Sequence, residues 1–225
     1  MSGATQDGRR KPGRPNVAEE TDLRDVILDQ AELAFAESGF SGTRTRDVAE
    51  RAKVNHGLIR YYFGSKDALF EAVFRRRGGV VSSRRLTLLE SLLAENTAPS
   101  VEDILHAYLK PQWDMKHSGP AGAAFIRLQA HIHAETAERA LKLRSEVYDA
   151  SLKRYIQTLS SVLPEIPTQV VALRMAFFIG SYLFMLNDLG RLGDLTDGET
   201  THLEPDAMLH HLVRFFAAGM RAPVA

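Results

Sequence analysis

Residues 41–69 read SGTRTRDVAERAKVNHGLIRYYFGSKDAL, and this stretch decides the fold. Its pattern predicts a short helix over about Thr45 to Ala52, a tight turn at Lys53-Val54-Asn55, and a second short helix over about His56 to Tyr62. Phe63-Gly64-Ser65-Lys66 then opens a third. Two short helices joined by a turn are the geometry in which one helix lies in a DNA major groove while its neighbour crosses the backbone. Within the second helix Ile59 and Phe63 lie four apart, on one face with Val54 just upstream, so that face is expected to pack on Val48 and Ala52. The opposite face presents His56, Gly57, Arg60 and Tyr61. Asn55 is the expected N-cap, turning the free N–H groups of the helix start towards phosphate. Gly57 costs about 1 kcal/mol inside a helix, which points to a close approach of the backbone to something. Arg60 has the two donors that match guanine O6 and N7, a pairing worth about 1–3 kcal/mol of discrimination. Tyr61 can stack on a sugar or touch a thymine methyl.

Charge supports this reading only when it is split by position. The 225 residues carry 28 Lys+Arg and 28 Asp+Glu, for a net charge of zero. Residues 1–85 carry +4 and the remainder −4; residues 41–66 alone hold six bases against two acids. An electrostatic footprint is local, so a basic front and an acidic back remain compatible with DNA. With 44% hydrophobic and 25% charged residues, the chain reads as an ordinary globular protein with a sizeable core. It has no cysteine, which excludes a disulfide scaffold and thiolate chemistry and fits a reducing, cytoplasmic setting. No cationic stretch leads into an apolar run near the start, so secretion is not expected.

Strand-like alternation is missing throughout, and the chain reads as all-α with about nine helices. Residues 1–20 form an expected disordered basic arm, with Arg9-Arg10-Lys11-Pro12-Gly13-Arg14-Pro15 suited to a narrow A·T-rich minor groove. Residues 21–68 form the helix-turn-helix domain, its first helix capped by Thr21 or Asp22 and ended by Gly39. Residues 69–225 form a larger helical domain. Its helices are expected over Lys66 to about Leu93, after Pro99-Ser100, Ala121 to His133, Glu135 to Leu163, Pro167 to Leu189 and Pro205 to Ala218, with a polar loop over Gly190 to Leu203.

Residues 23–74 resemble the DNA-binding domain of the TetR family of transcriptional regulators. The matching stretches are AELAFAESGFSGTRTRDVAERA and VNHGLIRYYFGSKDALFEAVF, in which Tyr62-Phe63, Lys66 and Leu69 fall at the family's offsets from Val48-Ala49. The resemblance implies a homodimer on a pseudo-palindromic operator and repression relieved by a small, mostly apolar effector. It also implies phosphate contacts from Thr45, Tyr62 and Lys66, with Arg44 as a further one. Two positions depart from the pattern. Lys53 stands at a turn position where the family usually has glycine, which predicts left-handed backbone at a cost near 1 kcal/mol. Arg60 stands where an aromatic is common, so base preference is not carried over.

In the back domain Val170 to Leu186 is an apolar run broken only by Arg174, Gly180 and Ser181. A membrane span needs about 20 residues, so a helix buried on most sides is the better reading and no membrane association is expected. One apolar face serves the core and a second asks for a partner; with Leu209, Leu212, Val213 and Phe216 it predicts a two-fold helical bundle between protomers. Trp113, Phe125, Gln129, His133, Tyr148, Phe178 and Tyr182 mix aromatic bulk with isolated polar groups, a lining suited to such an effector. His131 and His133 point apart on a helix, and His131 with Glu135 makes an incomplete site, so no metal is expected. No cofactor fingerprint appears, and Gly39-Phe40-Ser41-Gly42-Thr43 is not a nucleophile elbow, so no enzyme and no catalytic residue is expected. The alternative is an effector-independent, architectural DNA-binding protein.

Overall fold

The turn at Lys53 carries the left-handed backbone expected of it, with φ 55°, and on either side stand the two short helices α2 (Thr45–Arg51) and α3 (His56–Phe63). The structure, a computed structural model, describes residues 17–96, 98–134, 137–198 and 204–224. Among the described residues there are nine helices and no strand. The others are α1 (Val17–Gly42), α4 (Lys66–Glu95), α5 (Val101–His117), α6 (Pro120–Ala134), α7 (Glu138–Val162), α8 (Thr168–Leu195) and α9 (Pro205–Arg221).

α1 starts at Val17, ahead of the expected cap at Thr21 or Asp22, so the last residues assigned to the arm are helical; residues 1–16 lie outside the described part of the chain. Gly39 breaks α1 with φ 67°, ψ 178°, a conformation only glycine adopts cheaply. The break turns Phe40 back onto Phe35 and Phe70. Thr43 then donates its hydroxyl to the carbonyls of Ala34 and Gly39, at 3.0 and 2.8 Å.

Ile27, Leu28, Ala31, Phe35, Val48, Ile59, Phe63, Leu69 and Phe70 form one buried cluster that ties the first three helices to the start of α4. That helix runs on unbroken into the back of the molecule, where α5 and α7 flank it. α1 packs most extensively on α6, so the front helices are docked on the back domain as well as joined to it. α5 starts at a complete capping box between Ser100 and Asp103, satisfying two donors at once.

α8 is longer than expected. It passes through Gly190 and Gly193 to Leu195 and stops at Asp197-Gly198, both left-handed, where the Gly198 amide donates to the Gly193 carbonyl. Helical glycine costs only about 1 kcal/mol; the stop signal is the left-handed pair. Thr168–Asn187 has the length and hydropathy of a membrane span. Yet Val171, Met175, Phe178, Tyr182 and Leu186 recur at helical spacing and are buried in the core, while Arg174 donates to the carbonyls of Met220 and Ala222 beyond the end of α9. The opposite face exposes Leu173, Phe177 and Phe184.

Candidate nucleic-acid interface and effector cavity

α3 is held by its own ends. The Asn55 side chain accepts from the Gly57 amide at 2.8 Å, and the Gly64 amide closes the last turn on the Arg60 carbonyl. Ile59 and Phe63 are 2% and 9% exposed, whereas Tyr61 is 68% exposed and His56, Gly57 and Arg60 are also on the surface. The rigid inner face therefore aims the outer one. Gly57 has a local reason to lack a side chain, since a Cβ there would lie 3.1 Å from Asn55 Oδ1; the expected close approach is to the cap.

The sequence-predicted phosphate contacts fall around this helix, some with prior engagements. Thr45 Oγ1 lies 3.0 Å from His56 Nε2, joining the start of α2 to the start of α3. Lys66 lies with its Nζ 4.5 Å from the centre of the Phe40 ring and 3.5 Å from the Ser41 carbonyl, so its ammonium is positioned rather than free-swinging. Tyr62 is half-buried against the core with its ring beside Tyr61 and Phe63. Arg44 is exposed at the N-cap of α2 and makes no capping bond. Arg51 differs: it pairs with Glu37 at 2.8 Å.

Arg75, Arg76 and Arg77, consecutive in α4, are tied inward. Arg75 pairs with Glu71 and with Glu146 of α7. Arg76 and Arg77 converge on Glu32 of α1, a carboxylate 1% exposed, with Arg77 Nε donating at 2.8 Å. Arg139 of α7 pairs with Asp67 and lies near Glu71 at the start of α4. These pairs fasten α4 to α1 on one side and to α7 on the other.

Two adjoining cavities lie behind that junction. The larger, about 760 Å³, is lined by Ala172, Met175, Ala176, Ile179, Gly180, Leu183, Phe184 and Asn187 of α8 with Ala130, His133 and Leu152. The smaller, about 180 Å³, shares His133, Leu152, Ile179 and Leu183 with it and is otherwise polar, lined by Arg85, Gln112, Gln129, Arg144, Tyr148, Asp149 and the rings of Tyr108 and Tyr182. Of the seven residues expected around an effector, Gln129, His133, Tyr148 and Tyr182 line this inner chamber. Trp113, Phe125 and Phe178 line neither cavity: Trp113 stacks near His117, Phe125 on Phe74, and Phe178 between Tyr108 and Phe216. They are core, because aromatic bulk in an apolar helix is recruited first by packing.

A hydrogen-bond chain crosses the inner chamber. Arg85, 2% exposed, donates Nε to the Tyr108 carbonyl at 2.9 Å and Nη2 to Gln112 Oε1 at 2.5 Å. Gln112 donates on to Gln129, and Gln129 Nε2 donates to the Tyr148 hydroxyl at 2.9 Å. The guanidinium also lies 3.7 Å from the centre of the Tyr108 ring. Burial pushes the Tyr148 hydroxyl above its ordinary range, with the Arg85 charge opposing, so it stays protonated. Burial holds the His133 imidazole down at about 4, and its Nδ1 lies 3.0 Å from the Gln129 carbonyl. A carbonyl only accepts, so Nδ1 carries the proton and Nε2 is an acceptor.

Tyr148 also packs on α4. A Cβ at Gly78 would meet Val147 Cγ1 at 2.6 Å and the Tyr148 hydroxyl at 2.9 Å, so the α7 side chains fill the space a larger residue at this position would need. Sequence reasoning missed Arg85, Gln112 and Arg144, because charged and amide residues within long helices carry no local mark of burial. Among the described residues no metal-binding cluster is present; Glu135 and the side chain of His131 lie outside them.

Comparison with known proteins covers both parts of the chain. Residues 27–73 match the family model described as bacterial regulatory proteins, tetR family, and residues 106–219 match the tetracyclin repressor-like, C-terminal domain. The HTH-type transcriptional repressor Rv3405c of Mycobacterium tuberculosis is 45% identical over 73 residues, 32% of this chain and 36% of that protein. The matched stretch thus spans about a third of that relative's length. A TetR-family regulator from Bordetella parapertussis superposes with a TM-score of 0.65 at 16% identity, over 87% of this chain and 94% of that one. The regulator FadR of Bacillus subtilis, solved in complex with stearoyl-CoA, superposes with a TM-score of 0.60 at 16% identity, over 87% and 98%. At such identities the structural likeness establishes the fold.

Proposed function

The chain belongs to the TetR family of transcriptional regulators, and from that premise we propose that it is a repressor acting in the cytoplasm as a homodimer on a pseudo-palindromic operator, released by a small, mostly apolar effector. The single observation that carries the DNA half is the orientation of α3. Ile59 and Phe63 anchor it inward, and His56, Arg60 and Tyr61 are exposed on its outer face. Two such helices, one per protomer, enter successive major grooves one helical turn apart. Arg44, Thr45, Asn55, Gly57, Tyr62 and Lys66 surround them as the backbone-positioning set.

The effector half rests on the cavities and on what they touch. An occupant of the inner chamber contacts Tyr148, Tyr148 abuts Gly78 on α4, and α4 starts immediately after the recognition helix. A displacement of α7 against α4 therefore changes the spacing of the two reading heads. α6, which contributes His133 and Ala130 to the cavities, packs on α1 and supplies a second route to the same helices.

The test is selection of operator sequences from random duplexes by the purified protein, followed by affinity measurements across salt. A two-fold symmetric consensus with a salt slope of about −0.9 per phosphate contact supports the reading. An asymmetric consensus, or a monomer on DNA, counts against it. Binding that no small molecule weakens favours the effector-independent alternative.

A further inference from the structure

We propose that the effector is an amphipathic organic anion whose acidic head group pairs with Arg85 in the inner chamber while its apolar body fills the outer cavity; this rests on the effector reading above and specifies its chemistry. The carrying observation is a buried cation without a buried anion. Arg85 is 2% exposed and, among the described residues, pairs with no carboxylate. Its charge is met by a backbone carbonyl, an amide oxygen, the face of Tyr108 and, at 5.8 Å, the ring of Tyr148. Taking a guanidinium out of water is costly unless it is paired, and its Nη1 has no acceptor among the described residues. That nitrogen belongs to a group lining the chamber.

The other charges around the chamber leave this cation uncompensated. Arg144 is a second positive group, occupied by the carbonyls of Ile132 and His133. Asp149 is the one acid in the lining, and it accepts from Ser145 at 2.7 Å and lies 3.9 Å from Lys153, towards solvent. His133 is neutral. The chamber is therefore net positive.

The hydrogen-bond chain fits the same ligand. Each step from Arg85 through Gln112 and Gln129 donates towards Tyr148, and successive donation polarises the chain. Tyr148 accepts at its end and keeps its own O–H without an acceptor among the described residues. One anion oxygen takes the guanidinium and the other this hydroxyl. Beyond Ile179 and Leu183 the wall changes to Ala172, Ala176, Gly180, Met175 and Phe184, with Asn187 and His133 as its polar members and no charged side chain.

Binding to the DNA-free protein is measured by calorimetry with three matched probes, decanoate, decanol and decylamine, at pH 7.5. Decanoate is expected to bind at least tenfold tighter than decanol and to exclude decylamine. Arg85→Met, of similar length without charge, is expected to abolish the preference for the acid, bringing decanoate to within about twofold of decanol in the same variant. Tyr148→Phe, which keeps Arg85 in place, is expected to weaken decanoate severalfold. Decyl phosphate compared with decanoate separates a phosphate head from a carboxylate.

Equal affinity for acid and alcohol in the wild-type protein overturns the proposal without reliance on any variant, as does indifference to all probes or wild-type decanoate affinity in a folded Arg85→Met protein. A dimer that occludes the outer cavity gives that same indifference and counts the same way. Operator affinity is read separately by anisotropy. Decanoate bound with operator affinity unaltered supports the anion site and counts against the coupling; loss of operator binding in every state counts against the regulator reading alone.

Discussion

Arg60 and Lys66 stand within one turn of each other's helices and are expected to fail differently. Arg60 is exposed on the face of α3 that its anchors turn outward. Arg60→Ala should cost about 1–3 kcal/mol on the preferred operator and relax one base position. Lys66 is fixed beside Phe40 and the Ser41 carbonyl, and in the proposed reading it meets phosphate from there. Lys66→Ala should weaken all sequences evenly and reduce the salt slope by about one contact's worth. Competition against scrambled duplexes separates the two outcomes, and an Arg60→Ala protein with unchanged base preference would remove that residue from the readout. His133 gives a second residue-scale prediction. Its folded pKa is held at about 4 from an ordinary value near 6.5, so the unfolded chain takes up the proton first. Stability is then full above about pH 6.5 and is lost as pH falls towards 4, by at most about 3 kcal/mol. His133→Gln should flatten denaturation midpoints measured across that window; an identical slope in the variant would place the titration elsewhere.

At the scale of elements, the crossing of α4 and α7 is the sensitive contact. A methyl at Gly78 would meet Val147 and Tyr148 well inside normal contact distance. Gly78→Ala should force the helices apart, cost about 1–3 kcal/mol as overpacking does, and shift operator affinity even without an effector. Gly79, whose Cβ would meet nothing within 4 Å, is the control: Gly79→Ala should be neutral or slightly stabilising. Equal effects at both positions would show that helix propensity, not the crossing, decides. From sequence the Gly78-Gly79 pair suggests a bend in the fourth helix, but α4 runs continuously over Lys66–Glu95 and Gly78 instead makes room for α7. A glycine's need for space is set by a neighbour nearly seventy residues away in sequence, and local pattern carries no trace of it. Element boundaries show the same division. The helix start after Pro99-Ser100 and the left-handed turn at Lys53 are local chemistry and were legible in sequence, whereas the reciprocal partner Asp103 that completes the capping box was not named. The reach of α8 to Leu195 was not legible, because Gly190 reads as a stop unless the left-handed pair at Asp197-Gly198 is weighed against it.

For the molecule as a whole, the outer face of α8 and the end of α9 carry the prediction about assembly. Phe177, Phe184 and Phe215 are 61%, 66% and 73% exposed, more aromatic surface than an isolated protomer leaves in water without a use. Phe177→Asp with Phe215→Asp should shift the protein to monomer in analytical ultracentrifugation and weaken operator binding steeply, with α3 untouched. Dimers that persist in the double variant would move the interface elsewhere. The coupling itself has a thermodynamic signature, since an effector that weakens operator binding by a given factor must be weakened by the operator by that same factor. Affinity of the effector measured with and without operator checks it, and equal values would separate the cavity from the DNA-binding face.

The alternation of anchored and outward residues in α3, its cap at Asn55, and the all-helical periodicity were determined by the sequence alone, because each is an interaction within a few residues along one helix. What only the tertiary structure decided is which polar side chains ended up inside. Arg85 and Gln112, which sequence reasoning missed, come from two different helices, and their burial follows from how those helices pack. Trp113, Phe125 and Phe178 were assigned to the core by the same packing, and Arg75, Arg76 and Arg77 found acids on α1 and α7 that no spacing along the chain announces. Charge becomes informative only once the surrounding dielectric is known, and that is a property of the packed helices together.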